Sequence, residues 1–261
     1  KTSGAINASA VTEIVGTATD LDSVLQSSGI TGLGNEAVTI TNSGNNNALT
    51  TLSATTINHI NGLTSGLVTA SSILTITGNA ENVLAVYASG DNSEIAGLGD
   101  EAVELSDTTL SVSSLNTLNS QTTGLITATS ITTLSGTAAA LNTLFGNEGS
   151  SGDKVDLAAN VAVTVDAGSV AAAHLNTINS GTTGLVTATA ATTITGTAAA
   201  INTLIGNEGD SGDKVNLDTD FLVTIAAGSV AAAHLNTINA ATTGLVTATA
   251  ATAITGTAAA I

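Results

Sequence analysis

The sequence repeats itself with a period of about 60 residues, and this periodicity constrains the fold more than any other feature. Residues 171–200 and 231–260 are two copies of one stretch that differ at three positions, where Ser180, Gly181 and Thr193 are replaced by alanine. Weaker copies reach back to the start of the chain, and a glycine in a polar turn marks each copy: Gly4, Gly66, Gly124, Gly184 and Gly244. Such self-similarity is typical of repeat architectures, in which neighbouring copies stack on one another.

Each copy contains β-favouring stretches that recur at half the copy length, which is about 30 residues. In the last two copies these stretches are centred near residues 156, 164, 186, 194, 216, 224, 246 and 254. One aliphatic residue marks every half-copy: Val155, Leu185, Val215 and Leu245. We expect each strand to pair in parallel with its equivalent in the next half-copy, so that these four side chains lie one above another.

Alanine-rich stretches between the strands predict helices of about two turns. Ser169 in one half-copy and Thr197 in the other stand where an N-cap side chain would accept a hydrogen bond, and Gly206 stands at a C-cap position. Apolar residues with helical spacing follow each N-cap: Ala171, Leu175 and Ile178 in one half-copy, and Ala198, Ile201 and Ile205 in the other. So short a helix must be held by packing.

These patterns together predict a repeat solenoid. We expect a right-handed β-solenoid with turns of about 30 residues, each with two short parallel strands and one short helix, an α/β fold dominated by strands. Residues 1–261 would form a single continuous solenoid segment. Neither end resembles the polar cap of a solenoid terminus, so we expect the segment to be a fragment of a longer chain.

Composition excludes several classes of protein. The 261 residues include no cysteine and only three basic residues, and the net charge is −17. A disulfide framework and a thiol nucleophile are therefore impossible, and three cations leave no surface for nucleic acid. No apolar run approaches the roughly 18 residues of a membrane span, so we expect no membrane insertion in this segment.

The repetition also argues against an enzyme. An active site is a single constellation, whereas His174 and His234 occupy the same position in two copies, and His59 lies two positions out of that phase. A histidine base also needs an orienting carboxylate and a nucleophile. We expect these histidines to be surface or groove residues and the chain to have no catalytic residues.

Two acidic, glycine-rich loops are the best candidate sites. Residues 146–153 contain Glu148 and Asp153, and residues 206–213 contain Glu208, Asp210 and Asp213. Hard cations such as Ca²⁺ bind six to eight oxygens from carboxylates, carbonyls and water, so either loop would form a weak calcium site. The alternative is a solvated turn whose charge maintains solubility. Asp100 and Glu101, adjacent carboxylates in an earlier copy, are a weaker candidate.

Threonine and asparagine provide two further repeated patterns. Thr187 and Thr189 alternate with alanine, and the equivalent pairs Thr247 with Thr249 and Thr127 with Thr129 would stack into a hydroxyl ladder. Ice-binding solenoids use such ladders, which leaves an ice- or glycan-binding surface as an open alternative. The helical asparagines are expected to satisfy buried carbonyls along the stack: Asn116, Asn142, Asn176, Asn202 and Asn236.

The segments GITGLGNEAVTIT (29–41) and LNTLNSQTTGLITATSITTLSGTAAALNTL (115–144) resemble giant repeat-rich cell-surface proteins of marine cyanobacteria. The resemblance implies a secreted, extracellular location and a structural role. We therefore expect a spacer, fibre or coat element that associates with other copies of itself. A calcium-dependent adhesion module is the alternative, and Ca²⁺ is the one cofactor that the sequence suggests.

Overall fold

Short strands and short helices alternate along the chain. The computed structural model describes residues 4–41 and 50–256. The described helices are α1 (Ala18–Leu25), α2 (Ala54–Gly62), α3 (Ala80–Asp91), α4 (Val112–Gln121), α5 (Ala138–Gly146), α6 (Ala172–Gly181), α7 (Ala198–Gly206) and α8 (Ala232–Ala241). The strands up to residue 128 are β1 (Ile6–Asn7), β2 (Glu13–Gly16), β3 (Ile30–Thr31), β4 (Ala37–Ile40), β5 (Thr50–Ser53), β6 (Val68–Thr69), β7 (Ile73–Gly78), β8 (Ile95–Ala96), β9 (Ala102–Leu105), β10 (Thr109–Ser111) and β11 (Ile126–Ala128). The later strands are β12 (Thr133–Gly136), β13 (Val155–Leu157), β14 (Ala162–Val165), β15 (Gly168–Ala171), β16 (Val186–Thr187), β17 (Ala191–Gly196), β18 (Val215–Asn216), β19 (Leu222–Ile225), β20 (Gly228–Ala231), β21 (Val246–Thr247) and β22 (Ala251–Thr255).

The chain divides into two compact units that alternate along the sequence. The first unit takes the described parts of 1–107 together with 117–128 and 149–156. It contains the sheets β1-β3, β2-β4-β6-β8 and β13-β11-β9-β7-β5, with α1, α2 and α3. Its strand pairs are parallel, as in Val38 opposite Val68 and Val68 opposite Ile95.

The second unit takes residues 108–116, 129–148 and the described part of 157–261. It contains the sheets β10-β12-β14-β16-β18, β15-β17-β19-β21 and β20-β22, again with parallel pairs. Helices α5, α6, α7 and α8 pack side by side in chain order. The architecture is therefore a repeat-like α/β fold of parallel strands and short helices, as the sequence predicted at this coarser level.

The predicted register of the strands is wrong. Val163 pairs with Val186, and Val186 pairs with Val215, so successive steps along one sheet are unequal in length. Val155 and Val215 lie in different sheets, Leu185 precedes β16, and Leu245 is 70% exposed. The four aliphatic residues that mark the half-copies therefore do not stack on one another.

An unpredicted strand explains the error in register. Each strand pairs with the next but one, and the copy from residue 162 to 221 contains five strands rather than four. The additional strand, β15, directly precedes α6, and β20 precedes α8 in the same way. An odd number of strands per copy places equivalent strands of successive copies in different sheets.

The predicted helix caps are correct in one case and wrong in two. The Thr197 side chain accepts a hydrogen bond from the Ala200 amide, which confirms it as the N-cap of α7. Ser169 is not an N-cap, because it lies within β15 opposite Thr193, and Ala171 occupies the N-cap position of α6 without a side-chain bond. Gly206 is the last residue of α7, and Asn207 is the C-cap.

The core is mostly aliphatic, with Tyr87, Phe145 and Phe221 as its aromatic members, and one face of the helices packs on the strands. In α6 the fully buried residues are Ala172, Leu175 and Ile178, one position removed from the predicted Ala171. In α7 Leu204 is buried and Ile205 is only half-buried, which shifts the predicted face in the same way. Each fully buried Leu or Ile stabilises the fold by about 1.5–3 kcal/mol. The short helices thus depend on tertiary packing.

Candidate functional site

The two acidic loops have the same backbone conformation. Within each loop a glycine amide donates to a valine carbonyl at 3.1 Å, from Gly149 to Val155 and from Gly209 to Val215. Gly152 and Gly212 have φ values of 71° and 65°, in the left-handed region that favours glycine. All five predicted metal ligands are exposed: Glu148, Asp153, Glu208, Asp210 and Asp213.

The structure combines carboxylates from different loops rather than from the same loop. In the second unit Glu148 and Asp213 line one cleft of about 370 Å³, together with Asn179 and the Thr182–Thr183 turn. Asp153, Glu208 and Asp210 are not among the residues that line this cleft. Nowhere in residues 4–41 and 50–256 do three or more histidine, aspartate or glutamate side chains gather as a metal site. A calcium site within either loop stays a prediction.

The sequence analysis did not predict that two carboxylates, Glu36 and Glu101, are buried. Glu36 and Glu101 are 1% and 0% exposed, and each accepts hydrogen bonds through Oε2. The Gly34 amide donates to Glu36 at 2.7 Å, and the Gly99 amide donates to Glu101 at 2.9 Å. The second oxygen, Oε1, is buried without a hydrogen-bond partner in both residues. Each carboxylate therefore organises its own loop.

Glu101 also contacts the only tyrosine of the chain. The Tyr87 hydroxyl donates to Glu101 Oε2 at 3.2 Å. Burial, and after it the negative charge of Glu101, raises the pKa of Tyr87 well above its ordinary value of 10.0. Asp100 is exposed while Glu101 is buried, so the two adjacent carboxylates occupy different environments. The sequence did contain a signal for the burial of Glu101, since the equivalent positions of the two later copies hold the apolar residues Val161 and Phe221.

The turn glycines belong to a hydrogen-bonded clamp that recurs in the copies. In one example Thr182 Oγ1 donates to the Val161 carbonyl at 2.6 Å and accepts from the Gly184 amide at 2.9 Å. A Cβ on Gly184 would lie 2.5 Å from that carbonyl oxygen, so no larger residue fits without a shift. Three other threonines make the same pair of bonds: Thr64, Thr122 and Thr242.

The helical asparagines have the structural role that the sequence predicted, at the two positions where the bond is seen. Asn116 Nδ2 donates to the Ala140 carbonyl at 3.0 Å, and Asn176 Nδ2 donates to the Ala200 carbonyl at 2.9 Å. Each bond lies within the second unit and joins one helix to the next helix along the chain. For Asn142, Asn202 and Asn236 this role stays a prediction.

The predicted threonine ladder is wrong. Thr127, Thr187 and Thr247 belong to three different sheets, because equivalent strands of successive copies do not pair. The threonines two positions later, which were expected on the same strands, lie in turns after the strands: Thr129, Thr189 and Thr249. One polar row does form along a sheet of the second unit, from Ser135 through Thr164 and Thr187 to Asn216.

The histidines lie as separate surface or partly buried residues. His174 and His234 are half-buried on α6 and α8. His59 is exposed, and its Nε2 lies 2.7 Å from Asp22 Oδ1 and 3.2 Å from Gln26 Nε2. These neighbours are the side-chain carboxylate of Asp22 and the side-chain amide of Gln26.

The remaining observations concern membranes and known proteins. Within the described residues, every helix is too short or too polar to cross a membrane. Comparison of the chain with models of protein families, with curated proteins and with solved structures gives no match. Any functional conclusion therefore depends on the geometry given above.

Proposed function

We propose that the chain is an extracellular structural repeat segment, a spacer, fibre or coat element of a large cell-surface protein. The observation that carries this proposal is that repeated polar side chains are used in internal contacts. The Thr182-type clamp and the Asn176-type bond both recur in more than one copy and link neighbouring repeats. A surface that served an individual substrate would leave such groups free to bind it.

The finer architecture that we propose is a right-handed solenoid within each unit. Its support is that the strand pairs are parallel, because a crossover between parallel strands of one sheet is nearly always right-handed. In a solenoid every added copy lengthens the stack without widening it. Two turns per copy at the spacing of neighbouring strands would add about 10 Å of length.

Small-angle X-ray scattering tests this proposal directly. A variant in which residues 181–240 are duplicated in tandem should have a longer maximum dimension, by about 10 Å, and an unchanged radius of cross-section. A cross-section that grows with the added copy would contradict the solenoid. Antibodies against the chain should label intact cells of the source organism, and labelling only after the cells are broken would contradict the surface location.

A calcium-dependent adhesion module is a second candidate, favoured by the shared cleft of Glu148 and Asp213. A ligand that binds only the folded state stabilises it, by about 1.4 kcal/mol at ten times the dissociation constant. Under this alternative, CaCl₂ raises the melting temperature, EDTA reverses the rise, and NaCl of equal ionic strength does not reproduce it. An unchanged melting temperature favours the spacer.

A further inference from the structure

One sheet of the second unit has a face that points away from the core. In the sheet β15-β17-β19-β21, Ile194 pairs with Val223, and the two residues are 0% and 1% exposed, so they belong to the inward face. Side chains alternate between the two faces of a strand, so their neighbours point outward. We call the outward residues of the last three strands the outer face: Thr193, Leu222 and Leu245 in one column, and Thr195, Thr224 and Thr247 in the next.

The outer face carries no charge, although the chain has a net charge of −17. Each of the other sheets with four or five strands has a charged residue at an outward position or directly before one of its strands: Glu13, Glu104 and Lys214. Acidic surfaces repel a second copy of the chain and attract a basic partner, whereas a neutral face does neither. The charge distribution therefore favours another copy of this chain as the occupant of the outer face.

Two leucines give the outer face an apolar surface. Leu222 and Leu245 are 46% and 70% exposed, and they lie beside each other, since the Val223 amide donates to the Leu245 carbonyl at 2.9 Å. A strand paired with the free edge of β21 would cover that edge and not this face. Leu67 shows this, because it occupies the position of Leu245 in an earlier copy, has β8 paired beyond it, and is still 45% exposed.

We propose that the outer face docks on the outer face of a second copy, with the two sheets packed face to face across a two-fold axis. Packed sheets lie about 10 Å apart with interdigitated side chains. A two-fold axis brings the same patch of both copies together, so the leucines of each copy pack beside the threonine column of the other. The inference rests on the proposed structural role, because it names the surface through which copies of such a segment associate.

The size of the outer face sets the strength of the association. Three strands spaced by about 4.8 Å, with two outward positions about 7 Å apart on each strand, cover about 200 Å². A stable interface buries about 800 Å² on each partner, so two single segments associate only weakly. In a coat or fibre many copies are held close together, and the high effective concentration makes weak contacts sufficient.

Cross-linking of single-cysteine variants tests the proposal, since the chain has no cysteine of its own. Thr224→Cys places a thiol in the outer face. Thr39→Cys is the matched control, because Thr39 is the third residue of β4 as Thr224 is of β19, and its sheet carries Glu13. A bismaleimide that spans about 10 Å should link Thr224→Cys into dimers and leave Thr39→Cys largely monomeric at the same protein concentration.

Salt and charge should act on this cross-linking in opposite directions. Raising NaCl from about 0.1 M to about 1 M shortens the Debye length and screens the repulsion between two acidic copies, so the dimer yield of Thr224→Cys should rise. Adding Leu222→Asp should lower that yield at least about tenfold, because both copies lose an apolar contact and gain a charge. Leu67→Asp adds the same charge at an equally exposed leucine and should leave the yield unchanged.

Three results would overturn the proposal. The first is a dimer yield for Thr224→Cys no higher than for Thr39→Cys, which would indicate random collision. The second is a yield that falls as NaCl rises, which would indicate ionic contacts. The third is an equal loss of yield with Leu222→Asp and Leu67→Asp, which would place the contact elsewhere. None of these results alters the expected outcome of the scattering or labelling experiments, so failure here is separable from failure of the proposed function.

Discussion

Gly181→Ala should destabilise the protein because of a single neighbouring side chain. Gly181 is the last residue of α6, and a Cβ at this position would lie 2.5 Å from Cδ1 of Phe145, which is buried. In the following copy the equivalent pair is Ile205 and Ala241. The copy that has alanine at this helix position thus has isoleucine in place of phenylalanine, as expected if the phenyl ring of Phe145 excludes a methyl group at position 181.

The expected change in the free energy of unfolding for Gly181→Ala is the sum of two opposing contributions. Forcing a methyl group into this contact costs about 1–3 kcal/mol, whereas replacing a helical glycine by alanine contributes up to about 1 kcal/mol of stability. The net loss for Gly181→Ala is therefore about 1–2 kcal/mol. Phe145→Ile removes three carbons and by itself costs about 2 kcal/mol, at roughly 0.8 kcal/mol per buried methylene. In the Phe145→Ile background the clash is absent, so Gly181→Ala should become neutral or stabilising.

Urea unfolding followed by circular dichroism measures the stability of the wild type, of Gly181→Ala, of Phe145→Ile and of the double variant. The coupling energy between the two substitutions should be about 2 kcal/mol. Gly206→Ala is a matched control, because Gly206 ends α7 as Gly181 ends α6 and a Cβ there meets no atom within 4 Å. It should be neutral or stabilising in both backgrounds. An equal cost of Gly181→Ala with and without Phe145 would refute the steric explanation.

Two further predictions concern buried polar groups. Because its pKa is raised in the folded state, protonated Tyr87 contributes stability below about pH 10 that is lost as the pH rises further, by up to about 1.4 kcal/mol per pH unit. Tyrosinate absorbance, which reports Tyr87 alone, should appear only with unfolding, and Tyr87→Phe should make the alkaline loss shallower; normal titration in the folded protein would contradict this. Thr122→Val removes the bonds to the Glu101 carbonyl and the Gly124 amide and should cost about 1–3 kcal/mol in urea unfolding, whereas Thr122→Ser keeps the hydroxyl and should cost less. A smaller loss for Thr122→Val than for Thr122→Ser would show that packing of the methyl group, and not the hydroxyl, matters.

Local patterns in the sequence predicted the elements of the fold well. All eight predicted β stretches of the last two copies contain a strand, and the helices after Thr197 and before Thr182 are present. These elements are predictable because β-branched residues favour strands, and alanine followed by spaced leucine or isoleucine favours an amphipathic helix. The Thr197 N-cap was predictable for the same local reason.

The pairing of the strands was not predictable from the same patterns. The stretch Gly168–Ala171 contains only one β-branched residue and precedes an alanine run, so Ser169 was interpreted as a helix cap rather than as part of β15. Missing one strand per copy changes every partner, since each strand pairs with the next but one. Tertiary pairing overrode the regular spacing of similar side chains.

The candidate site was predicted in part. The acidic loops were recognised from their composition, but their pairing across copies depends on how α5, α6 and α7 pack. The burial of Glu101 was missed because glutamate is rarely fully buried. Comparison of Glu101 with Val161 in the next copy would have revealed a position of the core that happens to hold a carboxylate.

The sheets also bear on how a gene for such a protein can change in length. New sheets begin at Thr50, Thr109, Gly168 and Gly228, so that about one sheet starts in each copy. Paired residues of neighbouring strands are separated along the chain by roughly half a copy, as in the pairs Val163 with Val186 and Val38 with Val68. Unequal recombination between near-identical copies would therefore add or delete one whole sheet and leave the remaining ladders intact, so natural variants should differ by whole copies.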